Sequence, residues 1–167
     1  LILINFNYLT IVLALCSMPF AFLYPLMKRI TYWPQLFLGI TFNYGIILGW
    51  TSINNSFSII PLIIYFGAIF WTLGYDTIYG FQDIKDDEII GVKSTSIKFK
   101  NIPYAFLTIC YFLFLLGIII TGITLKFHYT FFMLLLLLVY HLFFKKISNL
   151  NINIKKNFLN LFKSNNE

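Results

Sequence analysis

Five runs with almost no charge divide this chain: Phe6–Met27, Pro34–Ser52, Ser58–Tyr75, Pro103–Leu125 and Tyr129–Phe144. Each approaches the roughly 20 residues that a tilted helix needs to cross the hydrocarbon of a bilayer, the last run being the shortest. A backbone in lipid has to satisfy its own hydrogen bonds, so these runs are expected as helices and not as open strands. None has the basic flank and small-residue cleavage site of a secretory signal. The expected fold class is an all-α integral membrane protein with about five transmembrane helices. Composition agrees, since 59% of the 167 residues are hydrophobic and 11% charged, whereas a soluble domain usually has about a quarter charged.

The net charge of +6 matters through its placement. With five spans, alternate connections share a side of the membrane. The connections after the first and third runs, with the tail, hold Lys28, Arg29, Lys85, Lys93, Lys98, Lys100, Lys145, Lys146, Lys155, Lys156 and Lys163. These are eleven of the twelve basic residues, and Lys126 alone sits opposite. Such an excess marks the cytoplasmic side. The charge is therefore read as a membrane-topology signal, with the lipid bilayer as partner and no nucleic acid. Ile53–Phe57 and Lys126–His128 are short connections that join antiparallel neighbours on the outer side. No repeat or linker divides the chain, so residues 1–167 read as a single transmembrane domain. The tail from Ile147 onward mixes lysines with Ile152, Ile154, Phe158, Leu159, Leu161 and Phe162. It reads either as an amphipathic helix on the inner leaflet or as the approach to a further helix. Cys16 and Cys110 fall in separate apolar runs and read as small packing residues, not as a disulfide or metal pair.

The long connection stands apart. From Tyr75 to Phe99 the chain reads YDTIYGFQDIKDDEIIGVKSTSIKF and holds Asp76, Asp83, Asp86, Asp87 and Glu88, five of the six acidic residues. If the third helix continued through it at about 100° per residue, Asp83 and Asp87 would each lie within about 20° of Asp76. Like charges stacked in a column repel and call for a cation. Magnesium suits the place, because one or two carboxylates plus substrate phosphate oxygens usually hold it. Asp86 lies to the side of the column and is a secondary candidate. Lys28, Arg29 and Lys93 are available on the same side to grip phosphates, and Tyr24 stands one helical turn before Lys28. A solvated loop at the membrane edge is the alternative. Glu88 reads that way, and Lys98 and Lys100 read as topology determinants. Asn43, inside the second run, is expected to bond a neighbouring helix. His128 and His141 read as structural, and Trp71, Tyr79 and Phe81 are left unassigned.

YDTIYGFQDIKDDEIIGVKST resembles the second aspartate-rich motif of the UbiA prenyltransferase family. FAFLYPLMKRITYWPQLFLGITFNYGIILGW is similar to that family's segment around its Y-x-x-x-K motif, and HLFFKKISNLNINIKKNFLNLF resembles the loop before its last helix. The wording is most like the bacterial members that prenylate 4-hydroxybenzoate. The resemblance implies Mg2+-dependent transfer of a polyprenyl group from an allylic polyprenyl diphosphate to the ring of 4-hydroxybenzoate in ubiquinone biosynthesis. It also implies a multi-pass protein of the inner membrane with its active-site loops on the cytoplasmic side. By motif, Asp83 and Asp87 match D-x-x-x-D as metal ligands through the diphosphate, and Asp76 matches the acidic residue ahead of it. Tyr24 and Lys28 match Y-x-x-x-K and, with Arg29 and Lys93, would hold diphosphate oxygens. No catalytic base is assigned.

Members of that family have about nine spanning helices, which at ~20 residues each need far more than this length. They also carry a first motif, N-D-x-x-D-x-x-x-D, whereas no aspartate precedes Asp76 here. The chain thus reads as the fourth to eighth helices, truncated at both ends. It is expected to be nearly inactive alone, with a separate chain as one source of the missing helices. Two other readings stay open: a small multipass transporter or cation-binding membrane subunit, and a related enzyme acting on a naphthoate, homogentisate or haem.

Overall fold

Prolines and polar caps mark where the helices begin. A computed structural model describes residues 2–147; the tail expectations, including Lys155, Lys156 and Lys163, lie outside the described residues. A 3-10 turn at Ile2–Asn5 leads into α1 (Tyr8–Leu23), whose first turn is capped by Asn7 Oδ1 accepting from the Thr10 N–H at 2.9 Å. A second 3-10 turn, Tyr24–Leu26, carries the chain into α2 (Met27–Ile30). Pro34 opens α3 (Pro34–Phe42) and Pro103 opens α8 (Pro103–Thr124), positions where a missing N–H leaves no bond unmade. Between them run α4 (Gly45–Asn54), α5 (Ile59–Gly80), α6 (Ile84–Ile90) and α7 (Thr95–Lys98). The last helix among the described residues, α9 (Tyr129–Val139), passes into π-helical turns at Tyr140–Ile147. No strand occurs among the described residues.

Among the described residues, four segments are long and apolar enough to cross a membrane: Tyr8–Ile30, Pro34–Asn54, Ile59–Gly80 and Pro103–Thr124. Where the fifth span, Tyr129–Phe144, is expected, a shorter apolar helix runs from Tyr129 to Lys145, because Lys145 and Lys146 end the apolar run. The third span runs further than its apolar run suggested, to Gly80 instead of Tyr75.

The core is the seam between α5 and α8. Leu73, Ile78, Leu107, Cys110, Tyr111 and Leu115 are buried along it. Glycines bring the two backbones together, as is common between helices in lipid, where close packing replaces the hydrophobic drive. A Cβ on Gly117 would stand 3.3 Å from Gly67 Cα and 3.2 Å from the Ile63 carbonyl oxygen. Both cysteines are free thiols, Cys16 exposed and Cys110 buried.

The second span is not one helix. It breaks at Asn43–Tyr44, and the Asn43 side chain fills the break. Its Nδ2 lies 2.8 Å from the Gly39 carbonyl, 3.2 Å from the Ala68 carbonyl and 2.7 Å from Thr72 Oγ1. Two of those partners sit on α5, so Asn43 serves the interhelical role expected of it. At the far end, Asn7 Nδ2 donates to the Thr51 carbonyl at 2.7 Å, and Thr10 Oγ1 donates to Thr51 Oγ1 at 3.1 Å. These bonds hold α1 against α4.

Candidate functional site

The acidic column expected from a continuous third helix does not form. Helix α5 stops at Gly80 and the chain turns through Phe81–Asp83 before α6 begins. Three-residue turns tighten this corner, with Gln82 N–H donating to Tyr79 and Asp83 N–H to Gly80. Rotation counted at 3.6 residues per turn therefore does not carry across it. Gly80 has a packing reason to be small, since a Cβ there would collide with Ser96 Oγ. Asp83 becomes the residue preceding α6, exposed and making no cap bond with its side chain. Asp86 and Glu88 are exposed, while Asp76 and Asp87 are each half-buried.

What relates these residues is Lys28. Its ammonium lies within electrostatic reach of the Asp76 carboxylate on α5 and the Asp87 carboxylate on α6. Tyr24, half-buried in the 3-10 turn ahead of Lys28, also feels the Asp76 charge. The Asp87 carboxyl is pushed above the usual aspartate range, first by desolvation. Lys28 pulls it down, while Asp83 and Asp86 push it further up. Asp76, Asp83, Asp86, Asp87, Tyr24 and Lys28 thus share one electrostatic neighbourhood, although the helix that would have aligned them is broken.

Lys93 is placed differently. Its N–H donates to the Lys28 carbonyl at 2.8 Å, and its ammonium donates to the Ile30 carbonyl at 3.2 Å. That ammonium also lies 5.5 Å from the centre of the Tyr32 ring. It therefore faces the end of α2, where unpaired carbonyls favour a cation. Arg29 is exposed on α2. Lys100 pairs with Glu88 at 2.7 Å, and Lys98 sits 4.5 Å from the centre of the Trp33 ring. Both arrangements fit the non-ligand readings of these lysines. Trp71 packs on Tyr75, Tyr111 and Phe114, with centroids 6.4, 5.8 and 4.7 Å away.

Residues not anticipated from the sequence complete the region. Gln35, Thr77, Ser94, Thr95 and Ser96 are all buried. Thr77 and Thr95 hydroxyls lie 2.6 Å apart, Ser96 Oγ donates to the Thr77 carbonyl at 2.9 Å, and Thr95 N–H donates to Gln35 Oε1 at 3.0 Å. A glutamine near the start of an apolar run and three successive hydroxyl residues after Lys93 were the available signals.

Among the described residues no three His, Cys, Asp or Glu side chains converge closely enough to enclose a metal ion themselves. The donors present are carboxylate oxygens, which suit a hard cation whose shell is completed by phosphate oxygens. On donor chemistry, magnesium fits.

A profile of the UbiA prenyltransferase family matches residues 1–165. The mitochondrial 4-hydroxybenzoate polyprenyltransferase of Bos taurus is 52% identical over 101 residues, 60% of this chain and 27% of that protein. Its counterpart in Homo sapiens is 50% identical over 99 residues, 59% of this chain and 27% of the relative. The 4-hydroxybenzoate geranyltransferase 2 of Lithospermum erythrorhizon is 46% identical over 110 residues, 64% of this chain and 35% of the relative. The matched segment thus spans between 27% and 35% of these relatives' length. No solved structure matches the chain.

Proposed function

This chain belongs to the UbiA prenyltransferase family, and from that premise we propose that it supplies part of a site transferring a polyprenyl group from its allylic diphosphate to 4-hydroxybenzoate, as in ubiquinone biosynthesis. The observation that carries the proposal is Lys28 standing in electrostatic reach of both Asp76 and Asp87, on a segment similar to enzymes named for that acceptor. A cation within electrostatic reach of two carboxylates suits a diphosphate brought in with a divalent metal, since both charges then find partners on one ligand.

In this reading Asp76, Asp83 and Asp87 would hold Mg2+ together with the diphosphate, and Asp86 would be an outlying ligand. When bound, the metal neutralises charge that develops on the leaving diphosphate. Lys28, with Tyr24 and Arg29, binds diphosphate oxygens and stabilises the same charge directly. Ionisation breaks the C1–O bond of the allylic diphosphate, and the ring carbon ortho to the phenol attacks C1. The ring proton then passes to the freed diphosphate, so the products are the prenylated acid and protonated diphosphate. In this reading a site closed to water protects the allylic cation from capture. The Lys93 ammonium faces the Ile30 carbonyl and is not assigned to the diphosphate.

We further propose that other helices complete the diphosphate site, whether from the same polypeptide or a companion chain, because one acidic segment gives too few oxygens to clamp a diphosphate alone. The excess of lysine and arginine at this end supports a cytoplasmic location for the site. The test is prenyl transfer by the native protein in membranes of a host lacking its own 4-hydroxybenzoate prenyltransferase. Prenylated acid formed by wild type and lost in Asp87→Asn is expected. No prenylated acid from wild type, or full activity in Asp87→Asn, would sink the proposal.

A further inference from the structure

The buried hydroxyl cluster beside the acidic segment joins the two halves of the site. At its start, Lys93 is bonded to the backbone that bears Lys28: its N–H donates to the Lys28 carbonyl at 2.8 Å and its ammonium to Ile30 at 3.2 Å. Two residues on, Thr95 reaches Thr77, the residue after Asp76, with the hydroxyl oxygens 2.6 Å apart. Thr77 Oγ1 also donates to the Leu73 carbonyl at 2.6 Å. A hydroxyl has one proton, so Thr95 must be the donor in the pair. Ser96 Oγ then donates to the Thr77 carbonyl at 2.9 Å, and Thr95 N–H ties the segment to Gln35 of α3 at 3.0 Å. Thr77, Thr95 and Ser96 are 0% exposed and Gln35 4%, so no water competes for these bonds.

We infer that Lys93–Ser96 is a positioning strap that fixes the spacing between Lys28 and Asp76, with Thr95 and Thr77 as its anchor; this rests on the reading of the site as one that binds diphosphate. The strap runs from the backbone of the cation to the residue next to the carboxylate, and each end is a short hydrogen bond. Buried polar networks of this kind specify geometry more strictly than apolar contact does. After the corner at Phe81–Asp83 the chain leaves α5, and the Thr95 and Ser96 bonds bring it back against the residue next to Asp76. Gly80 gives the strap its room, since any Cβ there would strike Ser96 Oγ.

The test uses the native protein together with the helices that complete its site, in detergent, and measures binding of inorganic diphosphate with Mg2+ by calorimetry, alongside KM for the polyprenyl diphosphate and for 4-hydroxybenzoate. Thr95→Val keeps the shape and removes the hydroxyl. It is expected to weaken diphosphate binding and raise the diphosphate KM about tenfold, leaving the acceptor KM unchanged, with Thr95→Ser restoring both. A uniformly structural role would lower the amount of folded protein without separating the two KM values. If wild type binds no diphosphate, the reading of the site falls and the strap with it. If wild type binds it and Thr95→Val binds as tightly, the strap alone is overturned. Should Thr95→Val fail to fold, Lys93→Met decides. It removes the ammonium bond and keeps the backbone bond, so it should weaken binding less than Lys28→Ala does. A loss equal to that of Lys28→Ala would make Lys93 a direct ligand and overturn the strap.

Discussion

Helix α5 is held on two sides by opposite means. Toward α8, Gly67 and Gly117 let the backbones approach until a single added Cβ would meet Gly67 Cα at 3.3 Å. No hydrogen bond is needed there, and in lipid the attraction comes from close packing. Toward α7, Thr77 is tied by its hydroxyl to Thr95 and by its carbonyl to Ser96, and Thr95 N–H in turn donates to the Gln35 carboxamide of α3, among residues that exclude water. The first seam gives attraction through close backbone approach at Gly67 and Gly117. The second has direction, and it lies beside Asp76 and Lys28. The seams thus divide the work: one holds the bundle together, and the other places its charges.

The largest expected effect separates them most clearly. Lys28→Ala leaves both seams intact and removes the cation that faces Asp76 and Asp87. Prenyl transfer by the native protein should fall about 100-fold, the scale typical for losing one group that stabilises a leaving charge. Thermal unfolding in detergent should stay close to wild type. A large fall in unfolding temperature would show that the charged end carries stability as well as placement.

Gly117→Leu tests the other seam. Its side chain would press on the Ile63 carbonyl and Gly67, and overpacking of this kind costs about 1–3 kcal/mol. The loss should appear in denaturation, while the protein that remains folded binds diphosphate as wild type does. Parallel loss of diphosphate binding would break the comparison, because the α5–α8 seam would then also set the site. A smaller effect is expected from Asn43→Leu, which removes bonds to Gly39, Ala68 and Thr72 at the helix break. Interhelical hydrogen bonds in membranes contribute about 1 kcal/mol, so unfolding should shift modestly and the diphosphate KM should hold.

The two seams were unequally legible. The apolar runs announced the long helices because length and absence of charge are themselves the physical requirement for crossing lipid. Lys145 and Lys146 were equally visible as the end of the last run, yet its shortness was allowed for as a span. The helix break at Asn43 was not legible, although its bond to a neighbouring helix was. At the acidic stretch, sequence spacing chose Asp76, Asp83 and Asp87 on the premise of a continuous helix. The structure breaks that helix at Gly80, and Lys28 relates Asp76 and Asp87 instead. The Thr77–Thr95 contact escaped notice because eighteen residues separate the partners, and nothing local pairs them. Long-range polar contacts leave only a weak trace, a polar residue such as Gln35 where an apolar one was expected.

The smallest effect lies at Asp87, where neither seam reaches. Its carboxyl is half-buried and sits above the ordinary aspartate value of 3.8, chiefly through desolvation, with Lys28 opposing the shift. Because the folded value is the higher one, proton uptake favours the folded state. That contribution is present below the unfolded pKa and is lost as pH rises through the raised value. Carbon-detected NMR on aspartate-labelled protein, with a chelator present, should show Asp87 titrating above the ordinary range. Lys28→Met should move its midpoint further upward, since the opposing charge is gone. Global unfolding should respond little, because a single half-buried carboxyl contributes little beside the packing of the α5–α8 seam. A midpoint unmoved by Lys28→Met would mean that Lys28 does not face Asp87, and the electrostatic neighbourhood would shrink to Asp76 and Tyr24.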